Sequence, residues 1–596
     1  MVRKVLQPIS GASAIALALF ATAVMGQTTN TTNNGYPADQ TGTTDQTGTT
    51  DTQNANPGEN SATTDMTGGA SAEGYTITQN GPVQSVQATS KGLKEPTAPV
   101  PPFLLTGLVG VSETYTTNVA GSASGTQNDF DSRLNLGLNA LERTAELTAA
   151  LSYAGSLDVF ARSNSQPVVN TDVTGLLDYN VIPDYLRLDL RVFATPVLLN
   201  PLGSVSTQNT PLPQGFNSNV SDTYGYQAAP TISFHFGNFA TSELVPSYGT
   251  VWFVNPPGAP SQPAVLQGIA PPSRTTTESV VETLSSGEDF SRLYWQIMGS
   301  YMKESEEALG LKQAQGTGDF EYAINHEFYL LLSGGYQSIT SSTILSQKLT
   351  GPIAYGGLRV KFSELSMFEV RAGESYNSAS YIGSAVIAFT PQTGLTGSLT
   401  DTIQTPAGLL LNNLANLDVS VQNSGAYQFY NSTTVVPNQS PSSLQGFSVT
   451  PQDNLGFNNE IERFRTGAIG LHHNFPDQTQ VLLNGFGTIA DILSAVPANE
   501  QPRQTSWGGS LSAQKPLSPY LNVSGFVSWG DQDISFGHDQ YLSVGATANY
   551  NLSKTLSVYG QVEYYSRFSG SHLAAVQAIS GDADVATFTI GVTKSF

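Results

Sequence analysis

The chain of 596 residues has no cysteine, so a disulfide framework, a thiolate metal site, a cysteine nucleophile and a lipid-modified cysteine anchor are all excluded. Charge is scarce. Asp, Glu, Lys and Arg make up 12% of the residues, about half of the roughly 25% usual in a soluble globular protein. Outside the N-terminus no run approaches the ~18 apolar residues of a membrane helix, which excludes a helical membrane protein. Positive charge is scarcer still: 24 Lys and Arg stand against 46 Asp and Glu, a formal net charge of -22. Polyphosphate binding needs a basic footprint, so nucleic acid is not an expected partner.

What is present begins with a targeting segment. Arg3 and Lys4 precede an apolar stretch from Ala12 to Met25 that ends among the small residues Ala21, Ala23 and Gly26. It is too short to span a bilayer and has the layout of a secretory signal peptide over residues 1–26. Residues 27–104 are rich in Thr, Asn and Gln, with the tandem Asp39-Gln40-Thr41-Gly42-Thr43-Thr44 and Asp45-Gln46-Thr47-Gly48-Thr49-Thr50, and close on a Pro-rich spacer from Pro96 to Pro102. So little apolar surface cannot offset the entropy of ordering the backbone, and this leader is expected to be disordered.

From Leu105 to Phe596 the pattern has period two. Phe130, Leu134, Leu136, Leu138 and Ala140 alternate with Asp131, Arg133, Asn135, Gly137 and Asn139; Leu186, Leu188 and Leu190 alternate with Arg187, Asp189 and Arg191. Strands with one greasy and one wet face, about ten residues long, are the signature of a transmembrane barrel. The last segment places Ala586, Phe588, Ile590, Val592 and Phe596 on one face and ends on the aromatic residue itself. A terminal Phe is similar to the signal read by the barrel assembly machinery. Tight turns at Glu142-Arg143, Gly237-Asn238, Asn325 to Glu327, Pro476 to Gln478 and Leu552-Ser553, among others, alternate with longer loops. If the last strand runs toward the periplasm, those tight turns all fall on the periplasmic side, as in bacterial barrels. The expectation is an all-β, antiparallel transmembrane barrel of about 22 strands (roughly 18 to 24) in a Gram-negative-type outer membrane, contacting its lipid and lipopolysaccharide. A soluble sandwich or solenoid would explain the alternation but not the signal segment, the terminal Phe and the one-sided loop lengths together.

Aromatic residues cluster by both kinds of connection: Tyr185, Phe236, Phe239, Phe328, Phe362, Phe389, Phe475, Tyr520, Tyr550 and Phe596 by the tight turns, and Tyr376, Tyr381, Trp529, Tyr541 and Tyr565 by the long loops. They are expected to ring the barrel at the two headgroup levels. Arg133, Arg187, Asp189, Arg191, Arg292, Glu369, Arg371, Gln561 and Glu563 are assigned to the inner face, because a charge toward hydrocarbon would cost a few kcal/mol. Such a mixed-charge lining suits a wide polar conduit, or cross-strand ion pairs that hold the wall together. Between two strands, Thr405 to Leu417 opens with a cap and Pro406 and places Leu410, Leu414 and Leu417 on one side, a short amphipathic helix that could constrict a pore or cap its own loop.

Catalytic and metal chemistry find little support. His538 neighbours Asp533 and Asp539, and Ser571 adjoins His572, but sequence neighbours on one loop rarely make a triad. Asp531, Asp533 and Asp539 lack the Gly and terminal Glu of a calcium loop, and no glycine loop suited to phosphate stands out. No enzyme activity, cofactor or metal is expected.

The stretch Ser112-Glu113-Thr114-Tyr115-Thr116-Thr117-Asn118, Ser286-Gly287-Glu288-Asp289-Phe290 leading to Leu293 and Trp295, Gly334-Gly335-Tyr336, Tyr355-Gly356-Gly357-Leu358 and the segment from Asp401-Thr402-Ile403 to Leu414 resemble a family of outer-membrane barrels. That family, of the β-barrel porin type, is associated with PEP-CTERM protein sorting and exopolysaccharide loci. The resemblance runs from about Gly107 to the C-terminus. It implies a barrel with a part in exopolysaccharide export, and polysaccharide or export-complex proteins as partners. A structural or adhesive barrel working through its surface loops is the other function class the sequence accommodates.

Overall fold

The computed structural model describes residues 75–80, 83–88 and, from 103 onward, the strands with their short connections; the longer connections, such as 199–219, 255–273, 412–460 and 572–581, are outside the described residues. So are the segment assigned to a signal peptide and the first part of the leader. Within the leader, where composition predicts no order, β1 (Tyr75–Asn80) and β2 (Val83–Ala88) pair as an antiparallel hairpin. Thr76, Ile77, Thr78, Val83 and Val86 give this stretch more β-branched character than its surroundings, which favours extended backbone.

The remaining strands form one closed antiparallel barrel. In chain order they are β3 (Phe103–Thr116), β4 (Asp129–Arg143), β5 (Leu147–Phe160), β6 (Val168–Ile182), β7 (Leu186–Leu198), β8 (Val220–Phe236), β9 (Ala240–Val254), β10 (Arg274–Ser286), β11 (Leu293–Ser305) and β12 (Gly310–Ala323). They continue with β13 (Phe328–Ser341), β14 (Gly351–Ser363), β15 (Ser366–Ser375), β16 (Ser378–Thr390), β17 (Thr393–Gln404) and β18 (Glu462–Asn474). The last are β19 (Gln480–Ile492), β20 (Arg503–Pro516), β21 (Leu521–Ile534), β22 (Gly537–Asn551), β23 (Leu556–Ser571) and β24 (Ala583–Ser595). Twenty-two strands, each paired with its chain neighbours, close where β24 meets β3. Closure removes the free edges that would otherwise leave backbone donors and acceptors unpaired in lipid. At the seam the terminal residue completes the ladder: the Phe596 N–H donates to the Gly107 carbonyl at 2.9 Å, and its ring is 68% exposed on the outside.

Period two sorts the side chains. On β4, Phe130, Leu134, Leu136 and Leu138 are exposed outward while Asp131 and Asn139 are buried on the other face. The same division runs through β11 to β14, where Ile297, Tyr301, Phe320, Leu330, Leu332, Tyr336 and Leu358 face out. An exterior of this composition fits only a bilayer core. Every aromatic residue assigned to the tight-turn rim is exposed on the outside. The opposite rim differs from expectation. Tyr376 and Tyr541 are buried and Tyr565 packs inward against Ala583 and Val585, whereas Tyr248, Tyr301, Tyr336, Tyr381, Trp507, Tyr564 and Phe568 face out. A one-residue offset is enough for this, since neighbours along a strand point to opposite faces.

Connections on that outer side are also less uniform than expected. β15 and β16 are joined there by a two-residue turn, Tyr376-Asn377, with φ of 56° at both positions, the backbone of a type I′ hairpin. The tight periplasmic turns use the same left-handed conformation at Asp184, Gly237 and Gln478.

Candidate functional site

The inner wall carries its charges in pairs and networks. Arg133 donates to Asp158 at 2.6 Å and to Asp131 at 3.1 Å. Asp189 and Arg191 pair with each other at 2.8 Å, and Arg187, nearer the periplasmic end and half exposed, reaches Asp178 at 3.8 Å. Glu369 and Arg371 belong to a larger network: Glu369 accepts from Arg359 at 2.7 Å and from Arg371 at 2.9 Å, Arg359 also reaches Glu321 at 2.6 Å, and Arg371 reaches Asp319 at 3.0 Å. The Ser333 hydroxyl donates to Asp319 at 2.5 Å. Glu563, buried on β23, accepts from the Ser543 hydroxyl at 3.3 Å. Arg292 stands apart, exposed in the turn before β11 rather than within a strand. The groups that complete these networks, Asp131, Asp158, Asp319, Glu321 and Arg359, share the inward parity, but alternation alone does not mark them as partners.

The feature that positions a functional site is a departure from the wall. The ladder between β16 and β17 ends at Gly383–Leu399, while β17 and β18 stay paired up to Gln404–Glu462. Leu399 is 47% exposed on the lipid side; Asp401 and Ile403, on the same face of the strand, are 6% and 0% exposed. Beyond Leu399 the outer end of β17 has therefore parted from β16 and, still paired with β18 and through it with β19, lies over the inner face of β14 to β16. Asp401 accepts from the buried Ser380 hydroxyl at 2.5 Å, and Ser380 in turn accepts from the Tyr355 hydroxyl at 2.9 Å. Arg463 clasps Asp401 through two nitrogens, at 2.8 and 2.5 Å, donates to the Ala379 carbonyl at 3.1 Å and to the Ser378 hydroxyl, and lies 5.3 Å from the centre of the Tyr376 ring. Ile403 and Ile461 join Met302, Leu311, Ile339, Leu349, Tyr376 and Leu493 in a buried apolar cluster. Met302, Leu311 and Ile339 come from the inner faces of β11 to β13, so the cluster ties the tip to that stretch of the wall. Leu345, in the connection after β13, bridges to Ser494 after β19.

The tip leads into the helical turn foreseen after Thr405. The Gly408 N–H donates to the Thr405 hydroxyl at 3.1 Å, an N-cap. Ala407, Gly408 and Leu411 are helical; Ala407 and Leu411 are buried, whereas Leu410, Leu414 and Leu417 lie outside the described residues. Thr405 also donates its hydroxyl proton to Glu304 on β11, and the Thr275 hydroxyl donates to Glu306 at 3.1 Å. A Cβ at Gly408 would stand 2.7 Å from Glu304 Oε2, and one at Gly249 on β9 would stand 3.0 Å from the Leu411 side chain. Glycine at these two positions lets the insertion seat against β9 and β11. Glu306, which follows β11, has its carboxyl pushed up to about 7 by burial.

Of the residues weighed for catalysis or calcium, His572 lies outside the described residues. His538 lies 3.4 Å from Asp531 and pairs in register with Asp533, but Asp539 is buried on the other face of β22. Among the described residues no group of three or more His, Cys, Asp or Glu side chains is arranged to hold a metal ion.

No family model and no curated protein matches the sequence. Similar solved structures include the ferric enterobactin receptor of Pseudomonas aeruginosa in complex with enterobactin, at 10% identity, covering 83% of this chain and 81% of that one, with a TM-score of 0.39. Others are a siderophore receptor of the same organism (14% identity, 84% and 81% covered, TM-score 0.35) and one of Acinetobacter baumannii (10%, 82% and 82%, TM-score 0.42). The chain is a closed 22-stranded antiparallel barrel of the outer-membrane type, a class fixed by its own ladder and lipid-facing exterior.

Proposed function

We propose that this protein is an outer-membrane conduit for polar solute whose lumen is closed by its own wall. The observation that carries the proposal is the inward end of β17, held by Asp401 and Arg463 against β16 and by Ile403, Thr405 and Leu411 against β9 to β13. A barrel of this size is too wide for side chains from its strands alone to fill, so it leaks unless something enters it. A structural or adhesive barrel would have no use for a strand end turned inward and bonded to the inner face of its own wall. Within this function, the resemblance to barrels of PEP-CTERM and exopolysaccharide loci supports a secreted polysaccharide as the cargo, with an N-terminal signal directing export and the barrel assembly machinery reading Phe596.

The test replaces residues 401–465 with a short hairpin turn, so that the inward end is removed and β17 and β18 remain joined at Thr400 and Thr466. Planar-bilayer recordings should show a several-fold rise in single-channel conductance, and cells should become sensitive to large antibiotics. Unchanged conductance in a correctly assembled, heat-modifiable barrel would remove the plug and shift the function to the outer loops. The cargo is tested separately: a strain lacking the protein should retain its polysaccharide inside the cell, and unimpaired release would discard export while leaving the conduit standing.

A further inference from the structure

We propose that the lipid-facing wall at the outer ends of β10, β11 and β12 binds the phosphate groups of an outer-leaflet glycolipid. Three cations face outward there, two of them side by side, in a chain that has only 24 in all. Lys303 and Lys312 are directly opposed in the ladder between β11 and β12, and both point outward: Lys303 lies two residues from the exposed Tyr301, and Lys312 alternates with the buried Leu311 and Gln313. Arg274, at the outer end of β10, is exposed on the same face and lies 5.6 Å from the ring centre of Trp252, its cross-strand partner.

Like charges facing each other across a ladder destabilise it, and a lysine directed at lipid has a cost that falls to nearly nothing only at the headgroup level. Two acids share that face of β10: Glu278, opposite Lys303 and bonded to it at 3.2 Å, and Glu282, four residues further in. Lys312 has no ion-pair partner among the described residues, so the cluster keeps an excess of positive charge. On the lipid side the neighbours are Tyr248, Tyr301 and Tyr336, all exposed, which mark the interface where headgroups lie. The ligand that fits is an anion carried at that level on an acyl-chain body, with the chains along Ile297, Tyr301 and Val280, one phosphate at Lys303 and Lys312 and a second beside Arg274, four residues further out on β10 than Glu278. A phosphorylated outer-leaflet glycolipid has that form, and its binding relieves the Lys303–Lys312 repulsion. The inference is independent of whether the lumen conducts.

The test uses the full-length barrel in detergent and native mass spectrometry with a bisphosphorylated lipid A. The wild type should retain the lipid, and K303Q/K312Q should weaken retention by about tenfold or more. Lys515→Gln, at the opposite rim, is the control and should leave retention unchanged. Lipid A stripped of its phosphates should bind no better than the double variant does. Equal retention by the double variant and wild type, or equal binding of the dephosphorylated lipid, would overturn the proposal. Heat-modifiable migration of each variant shows that the barrel has assembled; were K303Q/K312Q to fail that check, R274Q and K312Q singly carry the same comparison.

Discussion

The wall of this barrel is built in two chemistries. From β12 to β15 the inner face is held by ionised groups, with Arg359 and Arg371 bridging Asp319, Glu321 and Glu369. At the seam of β24 with β3 and β23 the inner pairs are hydroxyls: Thr114 with Thr589 at 2.9 Å and Ser557 with Thr593 at 2.8 Å, bonds in which either oxygen can donate. Guanidinium and carboxylate demand one geometry and one register. Hydroxyl pairs tolerate either sense of bonding. The ionised stretch lies beside the inner face on which the tip rests, whereas the seam joins the first and last strands of the barrel.

Substitutions should separate the two regions sharply. The largest effect is expected at Arg371, because its removal leaves Asp319 a buried carboxylate with no ion pair among the described residues and Glu369 with Arg359 alone; Arg371→Met should cost about 3–5 kcal/mol of barrel stability. Unfolding followed by heat-modifiable migration in denaturant would measure it, and a loss below about 1 kcal/mol would mean that the network does not hold that stretch of the wall. Next comes the tip itself. Arg463→Ala leaves Asp401 and Ser380 without their clasp and should free the tip, which would appear as larger or flickering conductance steps in an otherwise intact barrel. At the seam, Thr589→Val removes one neutral hydrogen bond and should cost only about 1 kcal/mol. A larger loss there would erase the contrast.

The smallest effect is a dependence on pH. Glu306, with its pKa raised from 4.5 to about 7 by burial, holds its proton more tightly when the tip is seated. Seating is therefore fully favoured below about pH 4.5, weakens as pH rises from there to about 7, and is least stable above it. Conductance should rise across that window, and Glu306→Gln should flatten the profile. A profile unchanged by that substitution would show that burial of Glu306 does not depend on the tip.

The strands, their number and the lipid-facing aromatic residues of the periplasmic rim were legible because a bilayer enforces period two on every strand, and a shift by one residue would turn charge into lipid. Arg133, Asp189, Arg191, Glu369, Arg371 and Glu563 could be placed by the same rule, although their partners depend on register, which alternation does not give. The outer aromatic ring was less legible, since Tyr564 and Tyr565 are adjacent and only the ladder tells which one faces out. The inward tip left a signal that alternation alone hides. Asp401 and Arg463 stand on the face that carries Leu395, Leu399, Ile469 and Leu471, yet both are buried, unlike the exposed Lys312 and Glu278 on the lipid face of β10 to β12. A buried charge on the greasy parity marks a strand end that has turned into the lumen.

The same departure makes the wall a zipper left partly undone. Below Leu399 the teeth of β16 and β17 are engaged; above it, the Ser378–Ile382 stretch of β16 faces a partner that has moved away, and Arg463 bonds to Ala379 where a strand would run. Withdrawal of the tip need not leave a hole in the barrel. The end of β17 can swing back and engage the waiting teeth one residue at a time, so that new backbone bonds in the wall offset the side-chain packing given up in the lumen. The gate and the wall would then be the same strands in two positions.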